Sequence, residues 1–461
     1  MIRHGRCVPM WSGLWFCWVI TIWAAGVGKG TPAVDCWERL ADVPLVYGVS
    51  SGGGLCSDGR FVYVADFSGD ADADSIDRNG NHTVDPGERL GDRGIGTGSV
   101  RVLRFDPQTV SWLALPAVNP WGTTGGAPSH ANLNNPLSVC GAHLYYCQYR
   151  SGPGITAWYR YDLSDAPGGQ WELLLEKSVQ EGATLQSNAG VCVTCRNGCP
   201  VFFHHQGGGA YQLFRTDRLT EGGRSVRLTP EWGFNPGHFP RNGGWCYDAS
   251  GDRLFHLSGN QVVQWRLDPA ADPASTLCDV RPEEAEGVLQ ESLPVSSLAD
   301  SLGWDAGGSR VHPGASLWGN SLTWIDDPTG VAGGPRGEDT GDGVLYMIRG
   351  ETSADGWPFN EGRGRITNGD AARAFPDTGT VQNLSAAPFP VGKGSSTAYC
   401  HGFLYLTQGD TLTVPDSPGN AAPMNREGIR RPGRGFARFR IHPSAGTDEV
   451  APSVAAVVPD A

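Results

Sequence analysis

An arginine, one spacer and a polar, usually acidic residue recur six times along the chain, each time at the end of a predicted β-strand. The copies are Arg104-Phe105-Asp106, Arg160-Tyr161-Asp162, Arg215-Thr216-Asp217, Arg266-Leu267-Asp268, Arg349-Gly350-Glu351 and Arg440-Ile441-His442. A repeated unit of this kind predicts a stacked or radial architecture, because no single unit can bury its own apolar face. Since every copy carries the signature, we expect a structural role, in which the arginine pairs locally and the acid shapes the following turn.

Short aromatic or β-branched runs recur in step with the signature and indicate the second strand of each unit. These runs are residues 61–64, 144–147, 201–204, 254–257, 322–325 and 403–406. The signature marks the third strand, and a fourth follows, so six units of four strands predict an all-β, six-bladed β-propeller. Segment 36–44 resembles a fourth strand and the last unit stops near His442, which predicts a ring closed by the N-terminal strand. Insertions 282–312 and 351–380 leave a degenerate seventh blade open as an alternative.

Composition and the N-terminus indicate an exported, acidic protein. The 461 residues carry a net charge of −13, which makes nucleic acid or an anionic membrane surface an unsuitable partner for the whole protein. Basic residues precede an apolar run that ends near Ala24-Ala25-Gly26, as in a signal peptide over residues 1–27; an uncleaved anchor is the alternative. We therefore expect a secreted or periplasmic monomer, free of the membrane after cleavage, with one propeller domain over 34–445 and a tail over 446–461.

Ten cysteines follow the leader, and the repeat separates them into two groups. Five precede the second strand of a unit, and Trp318 is expected there in the remaining unit; the five are Cys56, Cys140, Cys192, Cys246 and Cys400. Equivalent positions on neighbouring blades are commonly too far apart for a disulfide, so we expect buried, small apolar residues there. Cys195 and Cys199 flank the Asn197-Gly198 hairpin turn, which favours a local disulfide over the alternative of a zinc site.

The passages from Val100 to Val118 and from Trp158 to Leu174 contain an aromatic residue, an aspartate-led turn and a following tryptophan. They resemble the third-to-fourth strand passage of kelch-type propeller blades. The paired glycines of kelch blades are replaced by the cysteines, and Gly243-Gly244 is a partial match to the glycine pair. The resemblance covers most of the chain and implies the architecture rather than an activity, since propellers serve as enzymes, lectins and scaffolds.

A loop within the insertion 66–98 of the first blade resembles an EF-hand calcium loop. Oxygen-bearing side chains occupy its positions 1, 3, 5, 7, 9 and 12, namely Asp77, Asn79, Asn81, Thr83, Asp85 and Glu88. His82 replaces the usual glycine at position 6, which makes the sharp turn less favourable. The loop predicts a calcium ion that orders the insertion, against the alternative of an acidic, solvated loop.

One face of the predicted propeller carries most of the unusual residues, because the connections between strands two and three and between blades emerge there. We predict catalytic roles for His204, His130, Tyr149, Arg150 and Arg241, and substrate contacts for His205, Gln206, His238, Asn242 and His312. His204 departs from an otherwise apolar strand position, although a hydrogen-bonded core histidine is the common alternative. His256 is expected one position deeper, where it packs. The intra-blade loops 326–343 and 408–435 belong to the same face.

Histidine, tyrosine and arginine together suit β-elimination of a uronic-acid polysaccharide, which requires a base, an acid and a cation for the carboxylate. Secreted propeller lyases, such as those acting on ulvan, use similar residue types. Asp326 and Asp327 are adjacent and do not provide the facing carboxylates of a glycosidase. The sequence thus predicts a protein that binds or cleaves an acidic extracellular polysaccharide or oligosaccharide. The alternative is a non-enzymatic, calcium-stabilised scaffold for a protein or cell-surface partner.

Overall fold

Six antiparallel four-stranded sheets and two short ribbons make up the fold. The computed structural model describes residues 36–45, 54–67, 85–86, 100–118, 136–150, 155–178, 191–196, 199–206, 210–215, 226–228, 244–248, 251–258, 261–267, 289–294, 321–326, 343–350, 352–353, 365–366, 369–376, 380–392, 394–413 and 429–441. All of them belong to one compact unit, Val34–Ala461. Within these ranges no helix is long and apolar enough to cross a membrane. The signal peptide over residues 1–27 lies outside the described residues and stays a prediction.

The first three blades follow the chain order from the inner strand outwards. Blade 1 contains β2 (Leu55–Ser57), β3 (Val62–Phe67), β4 (Val100–Asp106) and β5 (Ser111–Ala114). Blade 2 contains β6 (Leu137–Cys140), β7 (His143–Arg150), β8 (Ile155–Asp162) and β9 (Trp171–Ser178), with a 3-10 turn at Leu163–Asp165. Blade 3 contains β10 (Val191–Arg196), β11 (Cys199–Gln206), β12 (Ala210–Arg215) and β13 (Val226–Leu228).

The last three blades include both ribbons and the strand that closes the ring. Blade 4 contains β14 (Gly244–Asp248), β15 (Arg253–Ser258), β16 (Gln261–Leu267) and β17 (Leu289–Pro294). Blade 5 contains β18 (Ser321–Ile325), β19 (Val344–Ile348), β22 (Ala371–Phe375) and β23 (Thr380–Leu384), with the ribbon β20 (Thr352–Ser353) and β21 (Arg365–Ile366) between its second and third strands. Blade 6 contains β24 (Thr397–Cys400), β25 (Phe403–Thr407), β28 (Phe436–Arg440) and β1 (Trp37–Arg39), with the ribbon β26 (Asp410–Thr413) and β27 (Ile429–Pro432).

The blades form a closed ring of six. First strands of neighbouring blades contact one another in a complete cycle, from β2 through β6, β10, β14, β18 and β24 back to β2. The prediction of an all-β propeller is therefore confirmed, and the described strands form six blades. Within the described residues no seventh blade is present: insertion 282–312 contains the fourth strand of blade 4, and insertion 351–380 contains the third strand of blade 5. Both insertions supply strands to ordinary blades.

Ring closure also matches the sequence prediction. Strand β1 pairs with β28 as the fourth strand of the last blade, with Glu38 opposite Arg438. The Arg438 Nε donates to Glu38 Oε2 at 2.7 Å, and the Trp37 indole donates to the Ser385 carbonyl of blade 5 at 2.8 Å. The N-terminal strand is thus held by its own sheet and by the neighbouring blade.

Apolar side chains pack between neighbouring blades. Phe105 of blade 1 meets Phe436 of blade 6 edge-on, with ring centroids 5.0 Å apart, and Tyr63 belongs to the cluster between blades 1 and 2. Comparable clusters join blade 4 to blade 5 and blade 5 to blade 6. The sheets of blades 1, 5 and 6 are covered on both faces, which explains why their second strands are apolar without strict alternation.

The arginine signature has the predicted structural role in blades 1 and 2. Asp106 Oδ1 accepts from the Gln108 amide at 2.8 Å, and Asp162 Oδ1 accepts from the Ser164 amide at 2.9 Å. The Arg160 Nη2 donates to Glu172 Oε2 on the fourth strand at 2.6 Å. In these two blades the acid therefore shapes the turn into strand four, and in blade 2 the arginine pairs across the sheet. In blade 6 the arginine opposite the second-strand tyrosine is Arg438, two residues before the signature arginine Arg440.

One copy of the signature lies on a different strand from the one expected. Arg349 follows β19, the second strand of blade 5, whereas residues 322–325 belong to its first strand. The arginine of the third strand is Arg373, opposite Tyr346, as Arg104 is opposite Tyr63. Both segments of blade 5 are short apolar runs, so the sequence alone placed the second strand one strand too early. Trp318 lies outside the described residues.

The cysteines fall into two registers on the first strands. Cys56, Cys192 and Cys246 each lie opposite the aromatic residue of the second strand, whereas Cys140 and Cys400 lie two residues further along. Cys56, Cys246 and Cys400 form no disulfide, as expected, but Cys140 is disulfide-bonded, which corrects the prediction for that position. In the hairpin at 197–198, Cys195 pairs with Pro200 and Cys199 with Arg196, so the two cysteines are not opposed.

Candidate functional site

The candidate site is the face of the propeller on which all second strands end, here called the upper face. Both the connections from strand two to three and those between blades emerge there. The second-to-third connections of blades 1, 5 and 6 span residues 68–99, 350–369 and 409–434, and those of blades 2, 3 and 4 span 151–154, 207–209 and 259–260. The long second-to-third connections are therefore concentrated on three adjacent blades.

Five of the predicted site residues lie at second-strand ends of two neighbouring blades. Tyr149 and Arg150 end β7 of blade 2, and His204, His205 and Gln206 end β11 of blade 3. The inner strands of these blades contact each other, so both strand ends belong to one sector of the upper face. For these residues the structure describes the backbone course and pairing. His130, Arg241, His238, Asn242 and His312 lie outside the described residues.

The observed register changes the argument that singled out His204. Val191 lies opposite His204 and Trp245 lies opposite His256, each one residue from a cysteine that faces an aromatic residue. His204 and His256 thus occupy equivalent positions of neighbouring blades, and His256 is not one position deeper. A one-residue difference in register moves a side chain to the other face of a sheet, which is why the sequence comparison separated the two.

Side chains of blades 1, 5 and 6 place charged and polar groups at the same height on the upper face. Asp66 is completely buried at the end of the second strand of blade 1, and Arg349 is only 2% exposed at the corresponding place in blade 5. Gln408 follows the second strand of blade 6 and is half-buried. Sequence comparison did not recognise these three residues as equivalent, although each stands three residues after a tyrosine, at 63, 346 and 405.

Buried hydroxyl groups join blades 5 and 6 beside the central channel. The hydroxyl oxygens of Thr323 and Thr397, on neighbouring inner strands, lie 2.8 Å apart and form a hydrogen bond. Ser395 Oγ donates to the Thr407 carbonyl at 2.6 Å, and the Ser396 amide donates to Thr407 Oγ1 at 3.2 Å. These contacts fix the upper ends of the inner and second strands of blade 6.

Thiols and phenols in the described core are not poised for nucleophilic chemistry. Burial raises the pKa of Cys400 to about 12 and that of Cys147 well above its ordinary value. Burial, opposed by the nearby Arg438 guanidinium, raises the pKa of Tyr405 to about 12. Burial and the neighbouring Asp58 carboxylate also raise the pKa of Tyr63. All four groups stay protonated near neutral pH, so they serve packing.

The predicted calcium loop contributes only Asp85 to the described residues. Asp77, Asn79, Asn81, Thr83 and Glu88 lie outside them, so the ligand set stays a prediction. Among the side chains that the structure does describe, no group of three or more histidine, cysteine, aspartate or glutamate residues is arranged to hold a metal ion.

Asp326 of blade 5 lies on the opposite face from the one expected. Asp326 directly follows β18, a first strand, so residues 327–342 connect strands one and two and emerge below. The Trp324 indole donates to Asp326 Oδ1 at 2.7 Å. The lower face therefore carries a long connection in blade 5 as well as short turns, and Asp327 lies outside the described residues.

Comparison with known proteins adds likenesses of overall shape. No protein-family model and no curated protein sequence matches the chain. Solved structures with similar shape include a copper-bound fungal alcohol oxidase of the AA5 family (9% identity, 89% of this chain and 77% of that one, TM-score 0.44), the phage phi92 endosialidase (11%, 91% and 70%, 0.47) and the Penicillium chrysogenum α-L-arabinanase in complex with arabinobiose (10%, 88% and 99%, 0.46). Sequence identities and TM-scores this low carry no argument. The classification of this chain as a six-bladed all-β propeller rests on the pairing of its own strands.

Proposed function

We propose that this protein is exported and binds an acidic extracellular polysaccharide on its upper face, and that it cleaves this ligand by β-elimination. One observation carries the proposal: the second strands of blades 2 and 3 are neighbours and end on the same face, one in Tyr149-Arg150 and the other in His204-His205-Gln206. These residue types supply a cation, two hydrogen-bonding groups and two imidazoles within one sector. The second-to-third connections of these two blades are short.

The chemistry assigns a separate task to each residue type. Arg150, with Arg241, neutralises the uronate carboxylate and so lowers the pKa of the neighbouring carbon acid. His204, supported by His130, removes the C5 proton as a general base, and Tyr149 gives its proton to the leaving glycosidic oxygen. The C4–O bond breaks as the C4–C5 double bond forms, which yields an unsaturated uronate and a free hydroxyl. His205, Gln206, His238, Asn242 and His312 contact the flanking sugars.

The experiment measures ultraviolet absorbance of the unsaturated product on a panel of alginate, polygalacturonate, hyaluronate and ulvan, with neutral arabinan as control. We expect a rising signal with at least one uronate polymer and a loss of about 10²-fold or more in His204→Ala, the usual scale for losing a general base. His143→Ala is the matched control, since His143 begins the same type of strand on the lower face. Binding without product would restrict the function to recognition, and no binding to any acidic polymer would overturn the proposal.

We also propose that calcium binds the loop from Asp77 to Glu88 and orders the insertion of blade 1. The support is the spacing of six oxygen ligands, with Glu88 able to bind through both carboxylate oxygens. Calcium, in contrast to magnesium, should raise the melting temperature, because an ion that binds only the folded state stabilises it by mass action. Glu88→Gln should remove most of the shift. A chelator with no effect on melting would count against the site.

A non-enzymatic scaffold is the second candidate, and one observation favours it. The connection of blade 6 contains the paired ribbon β26–β27, in which Arg430 and Arg431 lie opposite Leu412 and Thr411. A basic ribbon that projects from a propeller suits an acidic protein or cell-surface partner. Replacing both arginines with serine separates the candidates, since it should abolish partner binding in the scaffold and leave cleavage of short oligosaccharides intact in the lyase.

A further inference from the structure

Three blades share a side-chain contact at the base of their second-to-third connection. In each blade, the residue three positions after the tyrosine of the second strand lies opposite another residue. This partner lies at the start of the third strand or directly before it. These cross-strand pairs are Asp66 with Arg101, Arg349 with Asp370, and Gln408 with Gly435. The first residue of each pair contacts its partner through its side chain, so one backbone position has the same role in blades 1, 5 and 6.

Blade 1 provides the most buried of these contacts. Arg101 donates to Asp66 Oδ2 from both Nη2, at 2.8 Å, and Nε, at 3.2 Å. The Asp66 side chain is fully buried and that of Arg101 is 22% exposed. Arg101 Nη2 also donates to the Pro44 carbonyl at 3.0 Å, which ties the pair to the segment that follows the ring-closing strand. An ion pair removed from water in this way is sensitive to the loss of either partner.

Blade 5 carries the same contact with the charges exchanged. Here the arginine is on the second strand and the aspartate precedes the third, with Arg349 Nη1 and Asp370 Oδ2 3.4 Å apart. The Arg349 amide also donates to the Asp370 carbonyl at 2.9 Å. Blades 1 and 5 have opposite charge orders at this position. What the two blades share is therefore the cross-strand contact and not a particular residue type.

Blade 6 makes the contact without charge. The Gly435 amide donates to Gln408 Oε1 at 3.0 Å, and the Gln408 amide donates to the Gly435 carbonyl at 2.9 Å. A side chain at Gly435 would place its Cβ 2.8 Å from Gln408 Oε1 and 2.8 Å from the Phe389 ring. Glycine is therefore required for the glutamine to reach its partner.

The corresponding positions of blades 2, 3 and 4 lie at the base of short turns. Gln148 and Gln206 lie opposite Ala157 and Ala210, and Ser258 lies opposite Gln261. A long connection has more entropy to lose on ordering than a short turn, so a contact at its base stabilises the fold most in blades 1, 5 and 6.

We infer that Asp66–Arg101, Arg349–Asp370 and Gln408–Gly435 are base clamps, and that the blade 1 clamp positions the calcium loop. The second part rests on the proposed calcium site. Asp66 precedes the loop and Arg101 follows it, so the ion pair fixes both ends of the segment that must converge on the metal. Because the ion pair already holds the two ends of the loop together, the loop loses less conformational entropy when calcium binds. Asp66 is thus a positioning residue and not a ligand.

Two single variants and one charge exchange test the inference on the full mature chain. Asp66→Asn should weaken calcium affinity, measured by titration calorimetry, by about tenfold, the scale typical of residues that support metal ligands. It should also speed native-state trypsin cleavage after Arg78, Arg89 or Arg93 by about tenfold, because cleavage follows local opening. Gln408→Ala is the matched control, since it should speed cleavage between residues 409 and 434 and leave calcium affinity unchanged.

The double variant Asp66→Arg/Arg101→Asp reproduces the charge order of blade 5 and should restore wild-type cleavage, which keeps the test informative if Asp66→Asn folds poorly. Equal calcium affinity in Asp66→Asn and wild type would overturn the positioning role. Cleavage that rises at the same bonds in Asp66→Asn and Gln408→Ala would overturn the clamps. If the wild type binds no calcium, the calcium site fails, while the cleavage pattern still decides whether the clamps exist.

Discussion

Blades 2, 3 and 4 and blades 5, 6 and 1 share one strand plan but differ on the upper face. The first group has short second-to-third turns, with the tyrosine, arginine and histidines of the candidate site at the strand ends of blades 2 and 3. The second group has long connections whose bases are closed by Asp66, Arg349 and Gln408. The difference teaches that elaboration of a repeated unit goes together with its own support, since each long second-to-third connection is closed at its base by a side-chain contact.

The largest effect is expected from breaking the clamp of blade 1. Arg101→Met leaves the fully buried Asp66 carboxylate without its guanidinium partner and should cost about 3–5 kcal/mol in the free energy of unfolding. Arg349→Met should cost less, because its partner Asp370 is 43% exposed and regains water. Urea unfolding compares the two variants. Equal losses would show that burial does not distinguish the two clamps.

A smaller effect is expected from crowding the clamp of blade 6. Gly435→Ala forces a methyl group against Gln408 Oε1 and the Phe389 ring, and should cost about 1–3 kcal/mol, as overpacking usually does. Gly168→Ala, in a turn of blade 2 where the nearest atom is 3.8 Å away, is the control and should leave the melting temperature nearly unchanged. A stable Gly435→Ala protein would mean that the glutamine contact is dispensable.

The two groups should respond alike at their lower turns. Desolvation at Asp106 is outweighed by hydrogen bonds from Gln108 and Thr109, which lower the pKa of its carboxyl, and hydrogen bonds from Ser164 lower that of Asp162. A lowered pKa gives stability that is present above the unfolded-state value and lost as pH falls below it. Asp106→Asn and Asp162→Asn should therefore differ from wild type at neutral pH and converge with it in acid. Melting temperatures measured as a function of pH test this prediction. Opposite pH trends for the two variants would show that the two groups of blades also differ on the lower face.

The smallest effect is expected for the exposed pair of blade 2. Arg160 and Glu172 are 36% and 58% exposed, so Arg160→Ala should change the free energy of unfolding by less than about 1 kcal/mol. The change should shrink further in high salt, which screens exposed charges. A double-mutant cycle with Glu172→Ala isolates the pair, and a coupling as large as that of the buried clamps would contradict the distinction between exposed and buried pairs.

Much of the ring could be predicted because a repeated unit supplies its own comparison. The closure of the ring follows from two incomplete units, one near Trp37 and one near His442. The cross-strand pair of Tyr63 with Arg104 in blade 1 recurs in blade 6 as Tyr405 with Arg438. Blade 5 was misassigned because residues 322–325 and 344–348 are both short apolar runs, and only pairing shows which is second. The tyrosine at 346 opposite Arg373 is the signal that could have corrected it.

The clamps could not be found from the repeat, because their chemistry differs from blade to blade. An aspartate, an arginine and a glutamine share no residue-type pattern, and their partners are far away in the sequence. The equivalence of His204 and His256 was hidden by a one-residue difference in hairpin register, which periodicity does not resolve. The register between paired strands, rather than the composition, is thus what could not be predicted from the sequence.

Strand β1 lies near one end of the described chain, yet it completes a sheet whose other members come from the opposite end. Contacts with this sequence separation form slowly, since a very long loop must close before they add stability. Strand β1 therefore waits for β28 to be synthesised, and a chain interrupted before residue 436 lacks the strand that pairs with it. Complete synthesis of the domain is thus a condition for closing the ring.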